Sequence, residues 1–168
     1  MLIYLVRHAL ADYNSATPDH TAPGPPLTEL GKQQAEATAR LLDYSQITGV
    51  VSSPLRRCTQ TAEPVCDRFG LQLRLDDDLG EMQPGESPAA MGLRMIRSVL
   101  AHTDTCAVAL VSHAAPLEQL VLALTRDRVV FPAPDARGCR IKVGEVWQLV
   151  RRDGEWSAQH LPAGGVLV

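Results

Sequence analysis

Two histidines stand at the ends of apolar runs, each in a position to act on a shared ligand. Arg7 and His8 follow the run at residues 2–6, and His113 comes shortly after a second run at residues 107–111. Such runs are typical of central strands that are buried on both faces of a parallel sheet. A single histidine at a strand end is typically a hydrogen-bonded structural residue, so the repetition is what indicates chemistry.

A pair of arginines points to an anion. Arg56 and Arg57 stand at the start of a predicted helix that follows a third apolar strand, residues 47–52. The positive end of the helix macrodipole disfavours cations there. The arrangement becomes favourable if a phosphate lies nearby, because Arg7 and Arg57 offer forked donors to its oxygens. The helix start after Ser53 would add backbone N–H groups and positive potential.

Two histidines beside a phosphate have distinct uses. One neutral imidazole can attack phosphorus in line and form a phosphohistidine, which splits one difficult displacement into two easier ones. The other, as an imidazolium, can stabilise the charge that develops on the equatorial oxygens. A carboxyl group must also protonate the departing alkoxide and then activate water, and the acidic segment at residues 76–86 supplies candidates. The predicted chemistry is therefore phosphoryl transfer.

Composition restricts the class of protein and its partners. The 168 residues, 45% of them hydrophobic, suit a single globular domain over residues 1–168. A net charge of -3 with dispersed basic residues predicts no nucleic-acid partner, and no apolar stretch approaches the ~20 residues that span a bilayer. We expect a cytoplasmic protein without a membrane partner, with reduced cysteines at Cys58, Cys66, Cys106 and Cys139. Composition leaves the oligomeric state open.

The elements that must position these residues alternate between strands and helices. Strands are predicted at residues 2–6, 47–52, 71–75, 107–111, 140–143, 145–150 and 156–161, the last two joined by a hairpin turn at Asp153-Gly154. Helices are predicted to start at Thr28, at Ser53-Pro54, at Ser87-Pro88 and after His113. The third helix should direct Met95, Ile96, Val99 and Leu100 inward. This order predicts an α/β three-layer sandwich, with a mostly parallel sheet flanked by helices on both faces and ligands beyond the strands' carboxyl ends.

Four segments carry motifs in a fixed order. Residues 5–9 read Leu-Val-Arg-His-Ala, 26–35 read Pro-Leu-Thr-Glu-Leu-Gly-Lys-Gln-Gln-Ala, 52–62 read Ser-Ser-Pro-Leu-Arg-Arg-Cys-Thr-Gln-Thr-Ala, and 111–113 read Val-Ser-His. Together they resemble the histidine phosphatase superfamily, also called the phosphoglycerate mutase-like family. Its corresponding motifs are Arg-His-Gly, Leu-Thr-x-x-Gly-x-x-Gln-Ala, Ser-Ser-Pro-Leu-x-Arg-Ala-x-Gln-Thr-Ala and a second histidine.

The resemblance implies a role for each matched position. His8 would be the phosphorylated nucleophile, and Arg7, Arg57 and His113 would form the phosphate pocket, without a metal or another cofactor. Residues 79–81 read Leu-Gly-Glu and resemble the family segment that brings the acid/base, which would be Glu81.

The resemblance also assigns Asn14 and Ser53, and the assignments of Glu81 and Ser53 leave alternatives open. Asn14 would lie near the substrate. Glu81 has the alternative of being one more solvated carboxylate in an acidic loop. Ser53 would line the site through its hydroxyl or backbone, or only cap its helix.

The sequence also departs from the family pattern. Ala9 and Ala114 stand where many members have glycine after each histidine, and Ala11 stands where many have threonine. We interpret these changes as signs of a different substrate, with lost activity as the alternative.

Several functions fit these residues. A phosphomonoesterase acting on a small phosphorylated metabolite or a phosphoprotein is favoured, because the chain lacks the long insertions that cover the site in larger mutases. The alternatives are a phosphoglycerate mutase-type phosphotransferase, a non-catalytic phospho-ligand-binding homologue and a protein phosphohistidine phosphatase. A mutase must anchor a second anionic group, for which Arg94, Arg97 and Arg137 are candidates; otherwise they are ordinary surface charge.

Overall fold

In the described residues, six strands form one mixed sheet that is flanked by helices. The computed structural model describes residues 1–43, 45–102 and 107–161, so Cys106 and the end of the single domain predicted over residues 1–168 lie outside the described residues. The strand order is β3-β2-β4-β1-β5-β6, in which the first four strands are parallel and β5 is antiparallel to both of its neighbours, β1 and β6. The strands are β1 Leu2–Arg7, β2 Gly49–Ser52, β3 Leu73–Leu75, β4 Ala107–Ser112, β5 Val146–Arg152 and β6 Glu155–Leu161. The predicted α/β fold with a mostly parallel sheet is confirmed.

Four helices in this part of the chain cover the two faces of the sheet. They are α1 Glu29–Leu41, α2 Arg56–Phe69, α3 Pro88–Leu100 and α4 Ala114–Thr125, and a 3₁₀ turn spans Asp77–Leu79. Alternate residues of β1 divide between two cores, since Ile3 belongs to the cluster with α3 and α4 whereas Tyr4 belongs to the cluster with α1 and α2. None of the described helices is long and apolar enough to cross a membrane.

The strand register brings three carboxyl ends to one level. Arg7 pairs with Ser112 across β1 and β4, and Ser52 pairs with Val111 across β2 and β4. Pairing continues one residue further, because the His8 N–H donates to the Ser112 carbonyl at 2.9 Å. The residues that follow β1, β2 and β4 therefore meet at one edge of the sheet.

The segment after His8 is held against α1 by the residues of the second motif. Thr28 caps α1 by accepting from the Gly31 N–H at 2.9 Å, and its hydroxyl donates to the Leu10 carbonyl at 3.2 Å. Gln34 accepts the Leu10 N–H at 2.9 Å. Gly31 itself lies so close to Leu10 that a Cβ there would stand 2.1 Å from the Leu10 carbonyl oxygen. The motif therefore fixes the backbone immediately beyond His8.

Residues of the third motif, on α2, also fix the backbone beyond His8. The Thr61 hydroxyl accepts the Ala9 N–H at 3.0 Å and donates to the Arg57 carbonyl at 2.6 Å. The side-chain oxygen of Gln60 accepts the Leu27 N–H at 2.8 Å. These bonds connect the ends of the loop at residues 12–26 to one helix.

One predicted strand is absent. Residues 140–143 form no strand, because the N–H groups of Arg140 and Ile141 donate to the buried carboxylate of Glu118, at 2.7 and 3.4 Å. The edge of β1 pairs instead with β5. The hairpin between β5 and β6 agrees with the prediction, with Asp153 and Gly154 at positive φ.

Two helix details also differ from the predictions. Helix α2 begins at Arg56 with Leu55 as its N-cap, because Ser53 still continues the strand pairing through its N–H to Val111. In α3, Leu100 is 59% exposed, whereas Met95 is fully buried.

The close approach at Gly31 leads to a prediction on stability. Gly31→Ala should destabilise the protein by about 2–3 kcal/mol, because the Leu10 backbone must move away from the new methyl group. Gly92→Ala is the matched control inside α3, where the nearest atom to a new Cβ is 3.9 Å away. The control should be neutral or stabilising by up to about 1 kcal/mol. Urea denaturation measures both, and equal effects would contradict the packing described here.

Candidate active site

A cleft of about 450 Å³ lies at the carboxyl edge of the sheet. Its walls come from the residues after β1 and β4, from α2, and from the loops before α1, after the 3₁₀ turn and before β5. The lining residues are Arg7, His8, Tyr13, Asp19, His20, Arg57, Glu81, Ala114, Ala115, Arg137 and Cys139. A cleft of this size accommodates a small organic molecule.

His8 is held as a neutral imidazole with one defined tautomer. Its Nδ1 lies 2.8 Å from the Ala9 carbonyl oxygen, which can only accept, so Nδ1 carries the hydrogen and Nε2 keeps its lone pair. Burial, joined by the positive charges of Arg57 and Arg7, lowers the pKa of His8 to about 3. His8 therefore has an unprotonated ring nitrogen at neutral pH.

Two buried guanidinium groups flank this histidine. The Arg7 Nη1 donates to the Ile141 carbonyl at 2.7 Å and lies 3.5 Å from an Asp135 carboxylate oxygen. The Arg57 Nη1 donates to the Asp19 carbonyl at 2.8 Å. In the described part of the chain, the Nε of each arginine is buried without a hydrogen-bond partner. Donors thus exceed the protein acceptors around the cleft, which suits an anionic ligand.

His113 faces His8 and is linked to Arg57. The two imidazole centroids are 5.2 Å apart with an edge-on arrangement. Nδ1 of His113 lies 3.1 Å from Arg57 Nη2, and because a guanidinium only donates, this Nδ1 accepts. The opposite nitrogen, Nε2, then donates to the Ser53 hydroxyl at 3.0 Å. Ser53 therefore orients His113; it is not among the residues that line the cleft.

The protonation state of His113 depends on the charges around it. Burial holds the pKa of His113 well below 6.5. The nearby positive charges of Arg57 and Arg7, and of His8 when it is protonated, lower this pKa as well. His113 is therefore a neutral hydrogen-bonding group in the unliganded protein. Negative charge brought into the cleft would favour its protonated form.

Glu81 reaches the same pair of residues from the loop after the 3₁₀ turn. Its Oε2 lies 3.4 Å from Arg57 Nη2 and 3.3 Å from His113 Nδ1, and its side chain is 19% exposed. The Ser112 hydroxyl donates to the Leu79 carbonyl at 2.7 Å, which fastens this loop to the end of β4. Glu81 is therefore a carboxylate of the cleft and not a solvated surface residue.

Arg94 on α3 shapes the loop that carries Glu81. Its guanidinium donates to the carbonyls of Asp78, Gly80 and Glu81 at 2.6, 2.9 and 3.2 Å. The same group binds the Glu86 carboxylate through two further bonds, at 2.6 and 3.0 Å. Arg94 is thus engaged in holding backbone and lies outside the residues that line this cleft.

The helix start that faces the cleft belongs to α4. Ala114 and Ala115 occupy its first two positions and line the cleft, so the positive end of the α4 macrodipole is directed there. The start of α2 was predicted to supply N–H groups, but the Arg56 N–H donates to the Pro23 carbonyl at 2.6 Å. From α2 the cleft receives the Arg57 side chain instead.

The structure brings most of the predicted site residues together. Arg7, His8, Arg57 and Glu81 line the cleft, and His113 contacts the last three of them. Their catalytic and binding roles stay predictions.

Asn14 is the exception among the predicted site residues. It is exposed and absent from the lining, and its neighbour Tyr13 turns inward instead.

Sequence reasoning missed several wall residues. Tyr13, Asp19 and His20 lie in the irregular loop at residues 12–26, and Cys139 comes from a distant loop, so no local periodicity identified them. Arg137 was named only as one of three possible anchors. Within residues 1–43, 45–102 and 107–161, no group of three or more His, Cys, Asp or Glu side chains is arranged to hold a metal ion.

Sequence comparison identifies related proteins for the first half of the chain. A model of the histidine phosphatase superfamily (branch 1) matches residues 3–90. Curated relatives named probable phosphoglycerate mutase GpmB, from Yersinia pestis and Yersinia pseudotuberculosis, are 37% identical over 83 residues. These alignments cover 49% of this chain and only 39% of each relative.

Solved structures of similar fold cover nearly the whole chain. A mycobacterial glucosyl-3-phosphoglycerate phosphatase superposes with a TM-score of 0.76 at 22% identity, covering 98% of this chain and 99% of that chain. The alpha-ribazole phosphatase from Shigella flexneri gives a TM-score of 0.76 at 22% identity, over 96% of each chain. At these identities the likeness concerns the fold.

The surroundings of His8 predict its titration. At neutral pH, ¹⁵N NMR of the imidazole should show a protonated Nδ1 and an unprotonated Nε2, assigned by difference from His8→Ala. The midpoint should lie near 3. Between pH 6.5 and 3 the unfolded chain binds a proton that the native imidazole does not, so His8 should make stability fall as the pH is lowered through this range. A midpoint near 6.5 would contradict the proposed environment.

The contacts of Arg94 predict a change in loop dynamics. Arg94→Ala removes three bonds to loop carbonyls and the pairing with Glu86, so amide hydrogen exchange at residues 78–86 should accelerate by about 10-fold or more. Arg97→Ala is the control, because Arg97 is 72% exposed and contacts only the carboxylate of Asp78 from this loop. Similar acceleration in both variants would show that Arg94 does not organise the loop.

Proposed function

The chain belongs to the histidine phosphatase superfamily (branch 1), and from this premise we propose that it is a phosphomonoesterase that acts through a phosphohistidine on His8. The observation that supports this most is the neutral His8, whose Nε2 is unprotonated and stands beside two buried arginines. A nucleophile and its anion-binding groups are thereby preorganised. The reaction needs no metal in this proposal.

In the first step, His8 Nε2 attacks phosphorus in line with the departing oxygen. The N–P bond forms as the P–O bond to the alcohol breaks, while Arg7 and Arg57 bind the equatorial oxygens. The positive end of α4 adds to this stabilisation. His113 is positioned by its Nε2 bond to Ser53. The incoming dianion favours protonation at Nδ1, which supplies a further positive charge and releases the hydrogen bond from Arg57 to this nitrogen.

Glu81 is proposed as the acid and then the base. In the unliganded protein its carboxylate contacts Arg57 and His113, the same groups that are proposed to bind phosphate. A bound dianion therefore displaces Glu81 from Arg57, and in this proposal the carboxyl group acts in its protonated form and donates to the leaving alkoxide. In the second step the resulting carboxylate removes a proton from the water that attacks the phosphohistidine.

The dimensions of the cleft favour a small phosphorylated metabolite. Its volume of about 450 Å³ holds a phosphoryl group and a compact alcohol. The phosphatases of similar fold are named for glucosyl-3-phosphoglycerate and alpha-ribazole phosphate chemistry, which also concerns small molecules. A phosphoprotein with an extended loop remains the alternative substrate class of this proposal, since the first step is the same.

A mutase is the second candidate, favoured by the names of the curated relatives. A mutase returns the phosphoryl group to the substrate before water reaches it. Incubation with 3-phosphoglycerate distinguishes the two activities. Release of inorganic phosphate indicates a phosphatase, whereas formation of 2-phosphoglycerate without phosphate release indicates a mutase.

Trapping of the intermediate tests the proposal. Wild-type protein, quenched in alkali during turnover of p-nitrophenyl phosphate, should carry one phosphoryl group on His8 by mass spectrometry. His8→Ala should lose both this adduct and at least ~1000-fold in kcat. His102→Ala is the control, since His102 follows α3 at the opposite edge of the sheet. Turnover by correctly folded His8→Ala at the wild-type rate would refute the mechanism.

Glu81→Gln separates the two steps in the same assay. The p-nitrophenolate ion leaves without protonation, so the adduct should still form, but its hydrolysis lacks the base and the phosphorylated enzyme should accumulate. A wild-type protein that binds vanadate without any turnover would support the non-catalytic alternative instead.

A further inference from the structure

The structure separates the three arginines that were candidates for a second anionic group. Arg94 is committed to loop carbonyls and to Glu86, and Arg97 is paired with Asp78. Arg137 is different, because it lines the cleft and has no carboxylate within ion-pair distance among the described residues. It is an exposed residue at the rim of a site whose floor already contains two arginines.

A turn built around Asp135 positions Arg137. The Asp135 Oδ1 accepts the N–H groups of Arg137 and Cys139, both at 2.9 Å, and the Asp135 N–H donates to the Cys139 carbonyl at 2.8 Å. The other carboxylate oxygen of Asp135 lies 3.5 Å from Arg7 Nη1. One side chain therefore links the position of Arg137 to that of a buried arginine in the cleft.

The guanidinium of Arg137 rests on an aromatic ring. Its Cζ lies 4.8 Å from the centroid of Tyr13, which also lines the cleft. A cation–π contact fixes the plane of the guanidinium without consuming its N–H groups, which stay available along its edge. The rim of the cleft thus presents a cation that is oriented and still able to bind an acceptor.

The charges in the cleft indicate what this cation would bind. The proposed phosphate site is served by Arg7 and Arg57, each almost completely buried, together with the start of α4. A phosphate monoester carries about two negative charges at neutral pH, and these groups supply the hydrogen-bond donors for its oxygens. Arg137 is an additional positive charge at the exposed rim, whereas Arg7 and Arg57 lie on the buried floor, so it is placed to meet the part of a substrate that extends toward solvent. Desolvation of this cation by an uncharged alcohol would be unfavourable.

We propose that Arg137 is a specificity-determining residue that binds a second anionic group on the leaving alcohol, either a carboxylate or a second phosphate. This rests on the proposed function, and it narrows the substrate class to phosphate monoesters of acids or to bisphosphates. Arg137 takes no part in the phosphoryl transfer itself. Its contribution is to the binding and orientation of the substrate.

A matched set of three-carbon esters tests this proposal. The alcohol part of glycerol 3-phosphate carries no charge. In 3-phosphoglycerate this part carries a carboxylate, and in glycerol 1,3-bisphosphate it carries a second phosphate. Wild-type kcat/KM should favour at least one anionic ester over glycerol 3-phosphate. Arg137→Ala should reduce that preference by about 10-fold or more, mainly through KM, with partial rescue in Arg137→Lys. The anionic ester whose kcat/KM falls most in Arg137→Ala identifies whether the bound group is a carboxylate or a phosphate.

Arg128→Ala is the control, because Arg128 is 61% exposed and pairs with Glu155 away from the cleft. Calorimetric binding of the three esters to the His8→Ala and His8→Ala/Arg137→Ala proteins tests Arg137 without any turnover. Equal affinities of these two proteins for both anionic esters would overturn the proposal. Binding that depends on Arg137 in a wild-type protein without phosphatase activity would refute the proposed function alone.

Discussion

Strand β4 is hydrogen-bonded to β1 on one side and to β2 on the other, in parallel and without a register slip at their carboxyl ends. This pairing brings the residues after three separate strands to one edge, although they are dispersed over more than half of the chain. A shift of one residue in either pairing would turn the side chains of that strand to the other face of the sheet. The geometry between His8 and His113 therefore depends first on backbone hydrogen bonds between apolar strands.

Collecting two arginines and two histidines in a buried place is electrostatically unfavourable unless their states are adjusted. Both histidines are neutral because their pKa values are lowered. Each arginine donates to a backbone carbonyl and contacts a carboxylate, which is Asp135 for Arg7 and Glu81 for Arg57. Each carboxylate lies in a loop whose backbone is bonded to a helix. Arg94 of α3 binds the Gly80 carbonyl beside Glu81, and Glu118 of α4 accepts the Arg140 N–H in the loop of Asp135. The protein's own groups do not occupy every hydrogen-bond donor of the site, so it is suited to bind one further anion.

The motifs resemble catalytic signatures, yet many of their residues act as structural supports. Thr28, Gln34 and Thr61 bind the backbone around Ala9 and Leu10, and Gly31 permits the close approach of α1. These contacts define the backbone conformation of the segment after His8, although it forms no helix or strand. Rigid placement of a nucleophile by supporting hydrogen bonds is what makes preorganised catalysis possible.

Local patterns were sufficient to identify the strands that end at His8 and His113 and the arginine at the start of α2, because apolar runs and helix-start signals depend on neighbouring residues. Glu81 was chosen from an acidic segment only through the family resemblance. Local patterns failed where distant groups compete for the backbone. Residues 140–143 are a loop because Glu118 accepts the N–H groups of Arg140 and Ile141. Ser53 does not cap α2, because its backbone still pairs with β4, and its hydroxyl binds His113 instead. The sequence by itself determined the fold class and the candidates for phosphoryl transfer. Only the tertiary structure decided the tautomer of His8, the inward turn of Tyr13 and the placement of Arg137, since each depends on burial or contacts between residues far apart in the chain.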